Sequence, residues 1–134
     1  MLYRILFVYF LCINFQLYAK VDTLKVKSTA MNSLVPNLII LPNSPHDEPL
    51  PVIYLLHGAG GDFSNWIRRA PFIEDLAEEL RVIIVCPDGG KQGWYLDSPV
   101  LPESQYETFI VSELIPSVDS IYQTLATSDS RAIT

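Results

Sequence analysis

Two short, unbroken apolar runs organise this chain: residues 52–57, "VIYLLH", and residues 81–87, "RVIIVCP". A strand covered on both faces leaves such a run, because neither side chain direction meets water. Residues 23–29, "TLKVKST", alternate instead and predict a strand with one wet face. Residues 35–41, "VPNLIIL", predict a second strand, with Pro36 near its start where the missing N–H matters least. A surface loop, "PNSPHDEPLP", separates it from the first apolar run.

Helical spacing appears after each buried run. Phe72, Ile73, Leu76 and Leu80 recur on one side, and Glu74, Asp75, Glu78 and Glu79 on the other, with Pro71 suited to the first turn. Tyr106, Phe109, Ile110, Leu114, Val118 and Ile121 form a second stripe. Ser104 and Glu107 have capping-box spacing at its start, and Pro116 predicts a kink. Glu107 and Glu113 are expected to be a cap and a solvated face. "RAIT", residues 131–134, begins one more strand. Strands alternating with helices imply an α/β fold with a parallel sheet and helices on both faces. The first two strands are expected as antiparallel additions at one edge.

Residues 1–19 change the picture of the amino terminus. One basic residue in "MLYR" precedes the apolar "ILFVYFLCINFQLY" and the small Ala19, the layout of a secretory signal peptide. The apolar stretch is short for a membrane span, which needs about 20 residues. The expectation is a secreted or periplasmic domain over 20–134, with no stable span once the leader is cleaved. Cys86 is then the only cysteine left, inside an apolar run, and reads as a buried, inert thiol. A net charge of −6 with dispersed acids argues against a nucleic-acid partner. His46 and His57, the only histidines, have no second ligand at metal spacing, so no metal or other cofactor is expected.

The candidate chemistry lies where the first buried run ends. His57 is followed by Gly58, Ala59, Gly60 and Gly61. Ligands of open α/β sheets sit at the carboxyl ends of strands, and glycines let peptide N–H groups converge on one point. A P-loop requires Gly-Lys-Ser/Thr next, but Asp62-Phe63-Ser64 follows. A dinucleotide fingerprint opens directly into a helix, and here Ser-Asn-Trp intervenes. An oxyanion hole and a plain glycine turn both remain open on the glycines alone.

The neighbouring residues extend the pattern. "LPVIYLLHGAGGDFSNW" resembles the strand and loop that supply half of the oxyanion hole in the α/β-hydrolase fold. With "GWYLDSP" and "YETFIVSELIPSVDSIY", residues 24–134 resemble the esterase D-like family of feruloyl and other carbohydrate esterases, S-formylglutathione hydrolases and mycolyltransferases. The resemblance implies a carboxylic-ester hydrolase acting on a small-molecule or glycan ester, or a related acyltransferase. It implies the Ala59 N–H as oxyanion donor, Gly58 and Gly60 as shapers of the turn, and His57 as a brace and not the catalytic base. Trp66 is expected beneath the loop, and Asp62 to cap the following turn. Trp94 and Tyr95 are candidates to line an acyl or sugar pocket, although packing of the loop explains them equally.

The family's serine nucleophile sits in a G-x-S-x-G elbow, a pattern absent from residues 1–134. The expectation is therefore the amino-terminal half of a hydrolase sheet, ending just before the elbow and lacking nucleophile, acid and base. Such a half is expected to be inactive alone and loosely packed, with the central strand at 52–57 left as an exposed edge. A non-catalytic module that binds ligand through Trp94 and Tyr95 is the rival from another class.

Overall fold

A computed structural model describes residues 20–44 and 46–134; the predicted leader, with Cys12, lies outside the described residues. Five strands form one sheet: β1 (Lys20–Ser28), β2 (Ser33–Leu41), β3 (Val52–Tyr54), β4 (Ile83–Pro87) and β5 (Arg131–Ile133), in the spatial order β1-β2-β4-β3-β5. β1 pairs antiparallel with β2, and β2 antiparallel with β4. β3 lies parallel between β4 and β5, with Ile53 opposite both Ile84 and Ala132. The two amino-terminal strands are thus antiparallel additions to a parallel core, as the alternation predicted.

The period-two geometry of strands explains the two-sided core. Val35, Ile39, Val52, Tyr54, Ile83 and Val85 face one side, where Phe109, Leu114 and Val118 cover them. Leu38, Ile40, Ile84 and Cys86 face the other, beneath Ile73 and Ala77. Burying each large apolar side chain contributes about 1.5–3 kcal/mol, so an apolar run without alternation is stable only between two such layers.

The helices differ in detail from the sequence expectation. Helix α1 (Asn65–Arg69) precedes α2 (Ile73–Leu80), and Pro71 lies in the turn ahead of α2. Of the expected apolar face only Ile73 is buried, joined by Ala77; Phe72 and Leu80 are exposed, and Leu76 is partly so. Phe72, Ile73, Leu76 and Leu80 rim an apolar cleft of 270 Å³ with Trp66, Ile53 and Thr134. The second helical segment runs as α3 (Tyr106–Thr108), a π-helical stretch (Phe109–Leu114) and α4 (Ile115–Ile121). The wide turn lies directly ahead of Pro116, whose ring removes one helical donor. Ile121, expected in the stripe, is exposed.

Three expectations are corrected. The capping box does not form: α3 begins at Tyr106 with no side-chain cap from Gln105. Its first turn is instead met by Asp97, which accepts hydrogen bonds from the N–H and hydroxyl of Thr108. Glu113 is not a solvated residue. Its Oε1 accepts the N–H groups of Thr29 and Ala30 at 2.7 and 3.1 Å and ties the β1–β2 turn to the helix. Finally, β3 is not an exposed edge. All three of its residues pair with β5, and Leu56 donates to the Thr134 carbonyl at 2.7 Å, so β5 is the open edge.

Cys86 is buried within β4, and burial pushes its thiol up to about 12. The neutral thiol is the form the fold accommodates. The stability this gives is complete below the unfolded pKa of about 8.5 and is lost as pH rises toward the folded value. In a Cys12→Ser background, a thiol reagent is expected to label Cys86 only on unfolding. The stability gap between that chain and its Cys86→Ala derivative should narrow above pH about 8.5 in urea titrations.

Candidate functional site

β3 and β4 are parallel neighbours, so their carboxyl ends open on the same edge of the sheet. The loop after β3 carries His57–Gly61, and the loop after β4 carries Asp88–Tyr95. Polar contacts tie the two loops together. The His57 N–H donates to the Tyr95 hydroxyl at 2.9 Å. The Gly89 N–H donates to His57 Nε2 at 3.0 Å, and the Gly60 N–H donates to the Lys91 carbonyl at 2.8 Å.

His57 is 7% exposed and both ring nitrogens are engaged. Because Nε2 accepts from Gly89, Nδ1 carries the proton and donates to the Gly58 carbonyl at 2.9 Å. This imidazole has no nitrogen left to act as a base. The Gly61 N–H donates to the same Gly58 carbonyl at 3.0 Å. His57, Gly60 and Gly61 all donate, whereas the N–H groups of Gly58 and Ala59 have no acceptor among the described residues. Ala59 lies between two cavities, one of 170 Å³ bordered by Lys91, Trp94 and Tyr95, and one of 330 Å³ bordered by Asn65, Trp66 and Arg69.

The glycines are not equivalent. Gly60 has φ +74°, which a side chain resists. Gly61 is held by close approach, since a Cβ there would lie 2.9 Å from His57 Nδ1. A Cβ on Gly58 would meet nothing within 4 Å, so this glycine does not restrict the turn sterically.

Below the loop, Trp66 donates its indole N–H to the Leu56 carbonyl at 2.8 Å. Asp62 accepts from the N–H and hydroxyl of Ser64 and pairs with Arg68 at 3.0 Å. The Arg68 hydrogen bond, foremost, holds the Asp62 carboxyl below the usual carboxylate range.

Trp94 and Tyr95 behave differently from each other. Both hold left-handed backbones, φ +53° and +56°, at a cost of about 1–2 kcal/mol each for a non-glycine residue. Trp94 is 75% exposed at the mouth of the smaller cavity. The Tyr95 ring turns inward, 5.4 Å from the His57 ring and tilted by 60°. Burial pushes its phenol above the usual tyrosine range, so it stays neutral. Among the described residues, no group of three or more His, Cys, Asp or Glu is placed to hold a metal ion.

Sequence reasoning gave no individual role to Gly61 and passed over Gly89, Lys91 and Asp97. Gly89 is required because a Cβ there would lie 2.3 Å from the Tyr95 ring. Lys91 contributes through its carbonyl, which leaves no side-chain signal. Asp97 left no usable cue, because Ser104 and Glu107 offered a cap at the right spacing.

The doubly covered sheet, with its braced glycine loop at the carboxyl edge of β3, is that of an α/β-hydrolase. The chain belongs to the family described as "Putative esterase", whose model matches residues 28–134. It is 39% identical over 87 residues to Esterase MT1326 of Mycobacterium tuberculosis (strain CDC 1551 / Oshkosh), covering 62% of this chain and 19% of that one. Its fold is similar to that of a ferulic acid esterase, with a TM-score of 0.74 at 27% identity over 89% of this chain and 48% of the other. It is similar in fold to an S-formylglutathione hydrolase from Agrobacterium tumefaciens, with a TM-score of 0.74 at 21% identity, covering 90% of this chain and 50% of that one. The chain thus spans about half the length of these solved structures and a fifth of Esterase MT1326.

The glycine geometry sets an order of tolerance. Gly58→Ala should be neutral or stabilising by up to about 1 kcal/mol. Gly60→Ala should cost about 1–2 kcal/mol from its left-handed backbone. Gly61→Ala should cost about 1–3 kcal/mol by displacing the imidazole. Urea unfolding of the three variants checks that order; equal costs at 58 and 61 would contradict it.

Proposed function

We propose that this chain supplies the oxyanion-stabilising half of a secreted serine carboxylic-ester hydrolase. The observation that carries the reading is that the Gly58 and Ala59 N–H groups have no acceptor among the described residues, on a loop held by the amides of His57, Gly60 and Gly61; the family resemblance singles out Ala59 of the two. In ester hydrolysis a serine oxygen attacks the carbonyl carbon, and the carbonyl π pair moves onto oxygen. A fixed N–H beside that oxygen stabilises the new charge without reorganising in the reaction. The oxygen's electron pair then reforms the carbonyl and expels the alcohol, which takes a proton from the base that activated the serine.

His57 does not serve as that base, because both its nitrogens are engaged in the loop. The 134 residues contain no G-x-S-x-G, so nucleophile, acid and base are assigned to the part of the family fold that this chain does not span. The chain alone is therefore inactive: a donor stabilises charge only after attack has begun. The substrate is a small-molecule or glycan ester, in line with the naming of one structural relative as a ferulic acid esterase. The leader-like residues 1–19 support export. Trp94, exposed at the mouth of the smaller cavity, is the residue of this half best placed to meet the substrate.

The test joins residues 20–134 to the carboxyl-terminal half of the similar ferulic acid esterase. In that active hybrid, Ala59→Pro removes the donor and should lower kcat about 100- to 1,000-fold with little change in KM. Ala59→Gly should retain activity. The unjoined chain should give no saturable hydrolysis of a nitrophenyl ester. Full activity of Ala59→Pro, or turnover by the unjoined chain, would refute the proposal.

A further inference from the structure

Of the four non-glycine residues with left-handed backbones among the described residues, Trp94 and Tyr95 alone are consecutive. Arg81 caps α2, and Asn32 lies in the tight β1–β2 turn, both common settings for this conformation. Residues 94 and 95 are the central pair of a turn closed by the Leu96 N–H on the Gly93 carbonyl at 3.1 Å, a turn type with positive φ at both positions that glycine, asparagine and aspartate usually fill. The far end of the Tyr95 side chain ties that turn to the loop after β3. Its ring occupies the space a Cβ at Gly89 would fill, and its hydroxyl accepts the His57 N–H at 2.9 Å and reaches the Pro87 carbonyl at 3.4 Å. The phenol therefore links the end of β4 to the last residue before the glycine loop.

We infer that Tyr95 is the positioning residue of the β3 loop. By fixing the His57 amide it sets the following peptide planes, so that the Ala59 N–H is kept out of the loop's own hydrogen bonding. The left-handed backbone at 95 is what lets this side chain turn inward while Trp94 projects outward. Its effect on turnover rests on the reading of Ala59 as an oxyanion donor; the link itself does not. The hydroxyl acts through His57 and is not assigned to substrate.

Amide exchange and amide chemical shifts of the ¹⁵N-labelled 134-residue chain test the link. Tyr95→Phe keeps the ring against Gly89 and removes the acceptor. The His57 amide should exchange about tenfold faster, as expected for loss of one net hydrogen bond. The Ala59 resonance should move, while Ile84 and Val85 in β4 keep their protection. If Tyr95→Phe disturbs the whole sheet, Gly89→Ala displaces the ring with the phenol intact and should release the same His57 amide. The double variant should match the stronger single one, because both act through one contact. Unchanged His57 protection in both single variants, or release of His57 without movement of Ala59, would overturn the inference.

The hybrid enzyme separates this inference from the reading beneath it. Tyr95→Phe should lower kcat about tenfold with KM held within about twofold, the pattern of a misplaced donor. If Ala59→Pro is fully active while Tyr95→Phe still frees His57 and moves Ala59, the link stands and the oxyanion reading fails. If Ala59→Pro is inactive while both Tyr95→Phe and Gly89→Ala leave His57 protected, the oxyanion reading stands and the link fails.

Discussion

The neutral imidazole of His57 is the joint on which the candidate site depends. It lies between the Gly58 carbonyl and the Gly89 N–H, and each ring nitrogen has a single task. Buried polar groups left without partners are costly, so this arrangement favours one tautomer and one relative placement of the two loops. Gly61 lies against the ring and also donates to the Gly58 carbonyl. The turn is consequently closed by contacts that leave the Gly58 and Ala59 amides out. A free donor on a rigid loop differs from one on a mobile loop, because the rigid donor does not reorganise as charge develops.

Much of the fold was legible because the sheet is covered twice. A strand buried on both faces cannot hide its pattern, and residues 52–57 and 81–87 show it without interruption. The alternation at 23–29 likewise marked β1 as a strand with one wet face, and β1 extends it to Lys20–Ser28. The resemblance also marked the strand at 52–57 as central, and β3 lies between β4 and β5. The helix faces were less legible. Spacing placed Phe72, Leu76 and Leu80 with Ile73, but the sheet beneath α2 contacts only part of that stripe, and Ala77, too small to stand out in sequence, lies at the centre of the contact.

The site was legible as a motif and not as a network. The glycines after His57 announced a backbone-lined loop, but the residues that hold it are distant in sequence. Tyr95 lies 38 positions from His57, and Glu113 lies 84 from the Thr29 amide it holds. Local spacing carries no trace of such pairs. It also favoured the wrong cap for α3, because Ser104 and Glu107 have the right separation whereas Asp97 arrives from an adjoining loop. Lys91 is harder still to foresee, since its contribution is a carbonyl that any residue would provide.

Topology explains how the proposed oxyanion donor is shaped within this stretch of chain. Two parallel strands that are neighbours in the sheet deliver their following loops to the same edge, so the loops after β3 and β4 meet without help from later elements. The donor they shape is a main-chain amide, whose charge distribution does not titrate and whose direction is set by peptide geometry. A side-chain acid or base would need a tuned environment on every side, whereas an amide needs a fixed plane and an absent competitor. The three links between the loops fix the plane, and the engagement of the surrounding loop removes the competitors. On the proposed reading, charge stabilisation is built early in the chain, and the atoms that create the charge belong to the part of the family fold that this chain does not span.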